Sequence, residues 1–426
     1  MIRRIMVTIF AIMLYSSGVV WAAQVSEQKA MTVAQNWLHY CVNTYGPWAG
    51  SHTPAISGEE SVVYQGAVVG FNFLISPKGN ILVSGRDDLP PIKLYSDTTT
   101  LSVNAENTQE QARWIAEEIF QVGKVIDSHQ SEMATAAINA VQNPDTAAWS
   151  ILSSDKQLDQ AYPRDMAGTQ AVSYGPLLTT TWTQEDPYNL QCPVDATGCQ
   201  TLVGCVATAA AQIMRYWSKP ASGIGSTSYV WNNGAINVTL SRNFVNSTYD
   251  WANMPNALSS SSTTAQKNAV AQLCGDVGIA FHMEYGCATS GGSGAYTSDA
   301  PSIFTTYFKY KNTAQWVWRS DYANQSAWMQ VFKNEVQNGR PSELSLRDPV
   351  QNAGHAVVVD GYRDSPTETL HINMGWAGYY DGWYTPDSFI TGSYNWTDTS
   401  SMGAAIGIQP DTGGGSHHSQ IIGTWD

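Results

Sequence analysis

The sequence predicts an α+β protein built of two successive units, on three observations. Aromatic residues make up 11% of the 426 residues and glycine is frequent, while Asp, Glu, Lys and Arg together reach only 13%, a mixture that suits a loop-rich globular chain with much β structure. Apolar residues recur at helical spacing in "MTVAQNWLHYC" and "VGCVATAAAQIMRYW". "HAVVVDGY" reads as a buried strand, and "TLHINMGW" alternates as a strand does.

The chain begins "MIRRIMVTIFAIMLYSSGVVWAA", with two arginines, an apolar run and then small residues. That is the layout of a secretory signal peptide, cleaved after Ala22 or Ala23. Its apolar core is short and broken by Ser16, Ser17 and Gly18, which argues against a membrane anchor. The remainder is expected to be exported and soluble, without a membrane partner.

Residues 24 to about 165 read as the first unit. The amphipathic helix at "MTVAQNWLHYC" precedes strands in "SVVYQGAVVGFNFLISPKGNILVSGRDDLPPIKLYS", divided by a Pro-Lys-Gly-Asn turn. An Ala- and Gln-rich helical segment follows over about 107–142. "SSDKQLDQAYPRDMAGTQAVSYG" is polar and punctuated by Pro and Gly. It reads as an exposed linker, where proteolytic nicking concentrates.

From about residue 168 the composition shifts to Trp, Tyr, Gly and Thr. Cys205 is expected in the first turn of a helix whose buried stripe is Val206, Ala210, Ile213 and Trp217. There the unpaired N–H groups and the helix dipole favour an anion, which turns a thiol into a nucleophilic thiolate. The competing reading is a buried thiol that packs as a small hydrophobe. Further on, "RDSPTET" serves as a hairpin connection. It sets Leu370, Ile372 and Met374 on one face and His371, Asn373 and Gly375 on the other. His355, at the start of the first strand, then falls close to Asn373 and Trp376 at the end of the second. "PDTGGGSHHSQ" near the C-terminus has the composition of a flexible tail.

The net charge of −14 argues against a general nucleic-acid binder, which needs a basic face. The six cysteines, Cys41, Cys192, Cys199, Cys205, Cys274 and Cys287, include no C-x-x-C pair. A structural zinc site therefore has little support, and neither metal nor cofactor is expected. Export permits disulfides, and Cys192 with Cys199 flank "PVDATG" in a way that would close a small loop.

A peptidase working through cysteine needs a thiolate, a histidine to share its proton, a group to orient that histidine, and donors for the oxyanion. The order Cys205, His355, Asn373 and the span between the first two are those of papain-like enzymes. Beyond that order, "GCVATAAAQIMRYW", "GHAVVVDGY" and "HINMGWAGYYDGWY" resemble the two active-site blocks of the streptopain family, secreted bacterial papain-like cysteine peptidases. "LLTTTWTQEDPYNLQCP", "YDWANMP" and "DVGIAFHMEYG" with "GGSGAYT" resemble further parts of the family's mature enzyme, and "GFNFLISPKGNILVSGRDDLPPIKLYSD" resembles its pro-domain.

The resemblance implies a papain-like fold, a helical part plus an antiparallel β part, preceded by an α+β pro-domain. It implies Cys205 as nucleophile and His355 as proton acceptor. Gln184 falls where the oxyanion glutamine precedes the cysteine, Asn373 and Trp376 where the histidine is oriented and covered, and Ser293 and Gly354 where substrate is lined. The family pattern Asn-Trp-Gly-Trp-Gly-Gly reads here Asn373-Met374-Gly375-Trp376-Ala377-Gly378. The implied organisation is a signal peptide at 1–23, an inhibitory pro-domain at 24–167, a peptidase domain at 168–410 and a tail at 411–426. Partners would be protein or peptide substrates and the chain's own pro-domain.

Other classes compete. Sixteen tryptophans and twenty-one tyrosines would also suit a carbohydrate- or protein-binding module, and the same Cys-His pair would serve an acyltransferase whose acyl-enzyme is captured by an amine. "DTG" at 411–413 matches one half of an aspartic peptidase site, with no second copy. "GGSGA" at 291–295 lacks the last glycine of a serine hydrolase's elbow.

Overall fold

A computed structural model describes residues 24–102 except 88, 90, 99 and 101, residues 149–154 except 151, and residues 173–411 except 349–352, 365–367, 385–388, 392–393 and 397–398. The signal-peptide segment, the helical segment at 107–142, most of the linker and the tail after Asp411 lie outside the described residues.

Near the N-terminus, Ser26 caps α1 (Glu27–Tyr45) by accepting the Lys29 N–H, at 3.2 Å. The helix buries Ala30, Val33, Ala34, Trp37, Leu38 and Cys41 against a meander of β1 (Ala55–Tyr64), β2 (Ala67–Ser76), β3 (Asn80–Ser84) and β4 (Ile92–Ser96). Gln65 and Gly66 join β1 to β2 with φ of 48° and 82°, the left-handed pair that a two-residue hairpin matched to strand twist requires.

The meander does not stop at its own edge. β4 pairs antiparallel with β12 (Gly382–Tyr384), and the 11-stranded sheet continues through β11 (Thr369–Asn373), β10 (Ala353–Arg363), β9 (Ser342–Asp348), β15 (Gly403–Ile406) and β8 (Gln315–Trp318). β5 (Ser173–Tyr174) adds to β10 at Tyr362 and Arg363. Alternation along the strands feeds two cores. Val357, Val359, Leu344 and Leu346 meet Trp328, Met329 and Phe332 of α5 (Gln325–Gln337) on one face. Ala356, Val358 and Ala405 meet α2 (Cys205–Trp217) and α3 (Thr264–Ala280) on the other. Two-stranded hairpins β6 (Ser226–Asn232) with β7 (Asn237–Asn243) and β13 (Phe389–Thr391) with β14 (Tyr394–Trp396), and the short helix α4 (Ala300–Tyr307), lie outside the large sheet. No helix among the described residues is long and apolar enough to cross a membrane.

Two expectations change. Helix α2 does not bury one stripe: every residue from Val206 to Met214 is buried, while Trp217 is only partly so. The helix lies between the sheet and α3, and its run of alanines lets neighbours approach on every side. The small 192–199 loop is not closed by a disulfide either. Cys199 bonds Cys287, 88 residues on, while Cys41, Cys192, Cys205 and Cys274 are free thiols. The bridge holds the segment that leads into α2 against the 284–294 loop. Replacing Cys199 and Cys287 together by serine is expected to lower the unfolding free energy by about 2–4 kcal/mol. Urea unfolding should show this as a lower midpoint, and an unmoved midpoint would refute the clamp.

Candidate active site

Gly204 precedes α2 with φ 87° and ψ 141°, and no side chain caps the helix. A side chain here would have to tolerate positive φ, and its Cβ would lie 2.8 Å from the Met283 sulfur. The chain entering the helix is held on two sides. Val203 N–H donates to the Gln184 carbonyl at 3.0 Å, and Leu202 N–H to the Gly286 carbonyl at 3.0 Å.

Cys205 is partly open to solvent, yet its sulfur is closely surrounded. Burial pushes the thiol above its ordinary value, against the N–H groups of Ala356, Val206 and Cys205 itself, which favour the thiolate. The Glu343 carboxyl on β9, itself raised well above the usual range by burial, pushes the thiol the same way when charged. The thiolate expected from the helix terminus alone is therefore opposed by desolvation.

The Ala356 amide at the sulfur brings the start of β10 against the start of α2. His355, the preceding residue, is buried, and its ring stacks on Trp376 with centroids 4.5 Å apart and planes at 28°. Its Nε2–H donates to the Met374 carbonyl at 3.0 Å, a bond that fixes the tautomer with the lone pair on Nδ1. Burial lowers the imidazole to about 4, with the Met374 carbonyl acting in the opposite direction. β10 and β11 pair with Val358 opposite Asn373, after a register shift between Val359 and Gly361. Continuing that register sets His355 across from Trp376.

The Asn373 side chain bonds elsewhere. Its Oδ1 accepts Gln212 Nε2–H at 2.8 Å and Gly375 N–H at 3.0 Å, and its Nδ2 donates to the Thr180 carbonyl at 2.7 Å. It thus fixes the backbone on either side of Met374, whose carbonyl holds the imidazole. Gln184 is half-buried in the turn beside Val203, and Gly354 is exposed next to His355. Ser293 is buried, and its hydroxyl bonds the Leu202 carbonyl at 2.8 Å and accepts the Gly286 N–H at 2.9 Å. Its hydroxyl ties the 286–294 loop to the segment before Gly204. The site therefore gathers Cys205, His355, Gln184, Trp376 and Gly354 around one end of α2, with Asn373 and Ser293 fixing the walls.

Sequence reasoning missed three groups. The Met374 carbonyl orients the imidazole, and no side-chain pattern announces a carbonyl. Asp381, pushed up to about 7 by burial, accepts the Met374 N–H at 2.7 Å. Gln212, fully buried in α2, accepts the Trp182 N–H at 3.1 Å with the amide that also holds Asn373. Its signal was present: an amide side chain directly after three alanines, two turns after Cys205. Asp195, Cys199 and Cys287 also converge, but the two sulfurs are joined to each other.

Comparisons with known proteins point to one family of cysteine peptidases. The model of the peptidase C10 family matches residues 182–384. Streptopain of Streptococcus pyogenes is 30% identical over 380 residues, 83% of this chain and 82% of its own. The thiol protease/hemagglutinin PrtT of Porphyromonas gingivalis is 29% identical over 234 residues, 54% of this chain but only 26% of its own length. Among solved structures, a fragment of Prevotella intermedia prointerpain A in a Cys-to-Ala mutant form aligns with a TM-score of 0.60 at 28% identity, over 83% of this chain and 100% of its own. Active interpain A, a cysteine protease of the same organism, aligns with a TM-score of 0.50 at 36% identity, over 55% of this chain and 94% of its own.

Two outcomes follow from the geometry. Gln212→Leu leaves the Trp182 N–H and the Asn373 Oδ1 short of a buried partner and is expected to cost about 1–3 kcal/mol of stability; a denaturation midpoint equal to wild type would refute the tie. In the uncut chain, iodoacetamide should alkylate Cys205 with a pH midpoint above the ordinary thiol value, and Glu343→Gln should leave that midpoint in place because burial keeps the carboxyl neutral. Peptide mapping by mass spectrometry reads both, and a midpoint at or below that of a free thiol would contradict the account of burial.

Proposed function

This chain is a cysteine peptidase of the peptidase C10 family, and on that premise we propose that it is made as the zymogen of an exported endopeptidase acting through Cys205 and His355. The observation that carries the reading is that Cys205 opens the helix packed on β10, the strand on which the tautomer-fixed His355 stands. Nδ1 of His355 takes the thiol proton as sulfur attacks the scissile carbonyl. The oxyanion is met by uncapped N–H groups at the start of α2 and by the Gln184 side chain. The amine leaves with the proton from His355, and water, activated by the same ring, releases the acyl group from Cys205.

Asn373 acts through the backbone, by holding the Met374 carbonyl in line, and Trp376 shields that bond from water. Gly354 leaves the rim beside His355 open to an extended substrate, while the 286–294 loop fixed by Ser293 forms the opposite wall. Protein and peptide substrates fit a site of this kind, and no cofactor is needed for the steps.

Residues 24–167 are proposed as the inhibitory pro-domain, 168–410 as the peptidase domain and 411–426 as a tail, after removal of a signal peptide at 1–23. The larger share of this chain covered by prointerpain A than by active interpain A supports the division. The new N-terminus falls between about Lys156 and Ser173, leaving Gln184 in the product. Cys205→Ala and His355→Ala should each lower hydrolysis of an unfolded protein substrate by several orders of magnitude. Purified wild type should shorten itself while Cys205→Ala stays full length, with N-terminal sequencing locating the cut. Near-normal turnover by Cys205→Ala would sink the mechanism, and full activity of an uncut chain would sink the zymogen.

A further inference from the structure

The seam where β4 meets β12 holds an arginine in an aromatic cage contributed by both units. The Arg363 guanidinium lies 4.0 Å from the Trp383 ring centroid, 4.3 Å from that of Tyr45 and 5.5 Å from that of Tyr95. It donates to the Tyr95 hydroxyl at 2.9 Å. Tyr95 sits opposite Trp383 in the strand pairing, and the two rings stack with planes at 13°. Asp97, two residues after Tyr95, adds a negative charge whose field reaches Arg363. Gly382 lets β4 come close, since a Cβ there would lie 2.9 Å from the Tyr95 carbonyl.

Trp383 packs within the core of the N-terminal unit, among Trp37, Phe73 and Ile81. When that unit departs, β12 loses its partner on one side, and Arg363 and Trp383 lose Tyr45, Tyr95 and Asp97 together. An unpaired edge strand beside an uncovered indole and a cation is a template for another extended chain. The chemistry it would select is legible from what it holds in the precursor: a β-strand with a tyrosine opposite Trp383 and an acidic residue two positions later. The edge is also tied to the candidate active site. The 374–381 connection from β11 to β12 carries Trp376 and the Met374 carbonyl, and Asp381, next to Gly382, accepts the Met374 N–H.

We propose that in the processed enzyme the β12 edge with Arg363 and Trp383 is an exosite that binds an extended, tyrosine-bearing segment of protein substrates by strand addition. The inference rests on the reading that the N-terminal unit is removed. Substrate is the occupant best matched, because an endopeptidase that takes chains in extended form already meets segments of this shape.

The test uses enzyme processed from the full chain and blocked at Cys205 with a thiol-directed epoxide. A fluorescently labelled peptide of sequence IKLYSD should bind saturably by anisotropy, and at least about tenfold more weakly when its tyrosine is alanine. With unblocked enzyme, Arg363→Gln should raise KM for a long unfolded protein substrate several-fold and leave kcat and KM for a tetrapeptide substrate unchanged. The peptide-side change leaves the enzyme's fold untouched, so the proposal stays testable if Arg363→Gln fails to fold. Absence of saturable binding, or equal effects on long and short substrates, would overturn the exosite while leaving the peptidase reading intact. Light scattering that shows a dimer closed to the peptide, or an N-terminal fragment that co-elutes with the processed enzyme, would assign the edge to those occupants and overturn it too. A fully active chain that is never cut would overturn this inference and the zymogen reading together.

Discussion

One buried amide closes the circuit on which the site depends. Gln212 projects from the helix that begins at Cys205 and holds Trp182 N–H with its oxygen and Asn373 with its nitrogen. Asn373 in turn ties Gly375 and Thr180, so the peptide between them presents the Met374 carbonyl to His355. The amide following His355 then returns to the sulfur at the start of the same helix. Every member but Cys205 is buried, so those bonds are strong and each missing partner is costly. Helix, entering segment and hairpin are therefore held as one rigid unit, as a reaction needing sub-ångström placement requires.

The electrostatics of the described state favour neutral partners. Burial raises the thiol and lowers the imidazole, and both shifts oppose a charge-separated pair. The helix terminus and three amides pull in the other direction at the sulfur. In the proposed reading, anything that admits polar groups or water beside Cys205, substrate included, moves that balance toward the thiolate. The Glu343 carboxyl beneath α2 does no harm while it remains neutral, which its burial ensures.

The shared sheet makes the N-terminal unit more than a plug. Leu82 and Leu94 of the N-terminal strands join the same core as Leu370, Ile372 and Tyr384, while Trp383 joins the core of the N-terminal unit. The two units thus exchange side chains across a backbone ladder. Separating them would uncover apolar surface, a cation and an edge at once, and cutting the linker would release only the covalent constraint between them.

Much of this was legible in the sequence, because it is written in local periods. The Cys205 helix, the 353–373 hairpin and the meander around Pro77 follow from spacing, alternation and turn residues, and the active-site blocks resemble a known family closely enough to assign Cys205 and His355 candidate roles. Long-range choices were not legible. That Cys199 would bond Cys287 and not close the short loop with Cys192 depends on the 284–294 loop folding back, a contact no local pattern encodes. The side-chain partners of Asn373 depend on a glutamine 161 residues earlier, and the orienting role of Met374 belongs to its backbone. The joining of β4 to β12 was equally invisible, since an edge strand looks the same in sequence whether its neighbour comes from its own unit or the next. Sequence determined which residues are candidates for the chemistry and which local elements present them; only the tertiary structure decided which buried polar groups meet, because desolvation and hydrogen-bond geometry act between parts of the chain far apart in sequence.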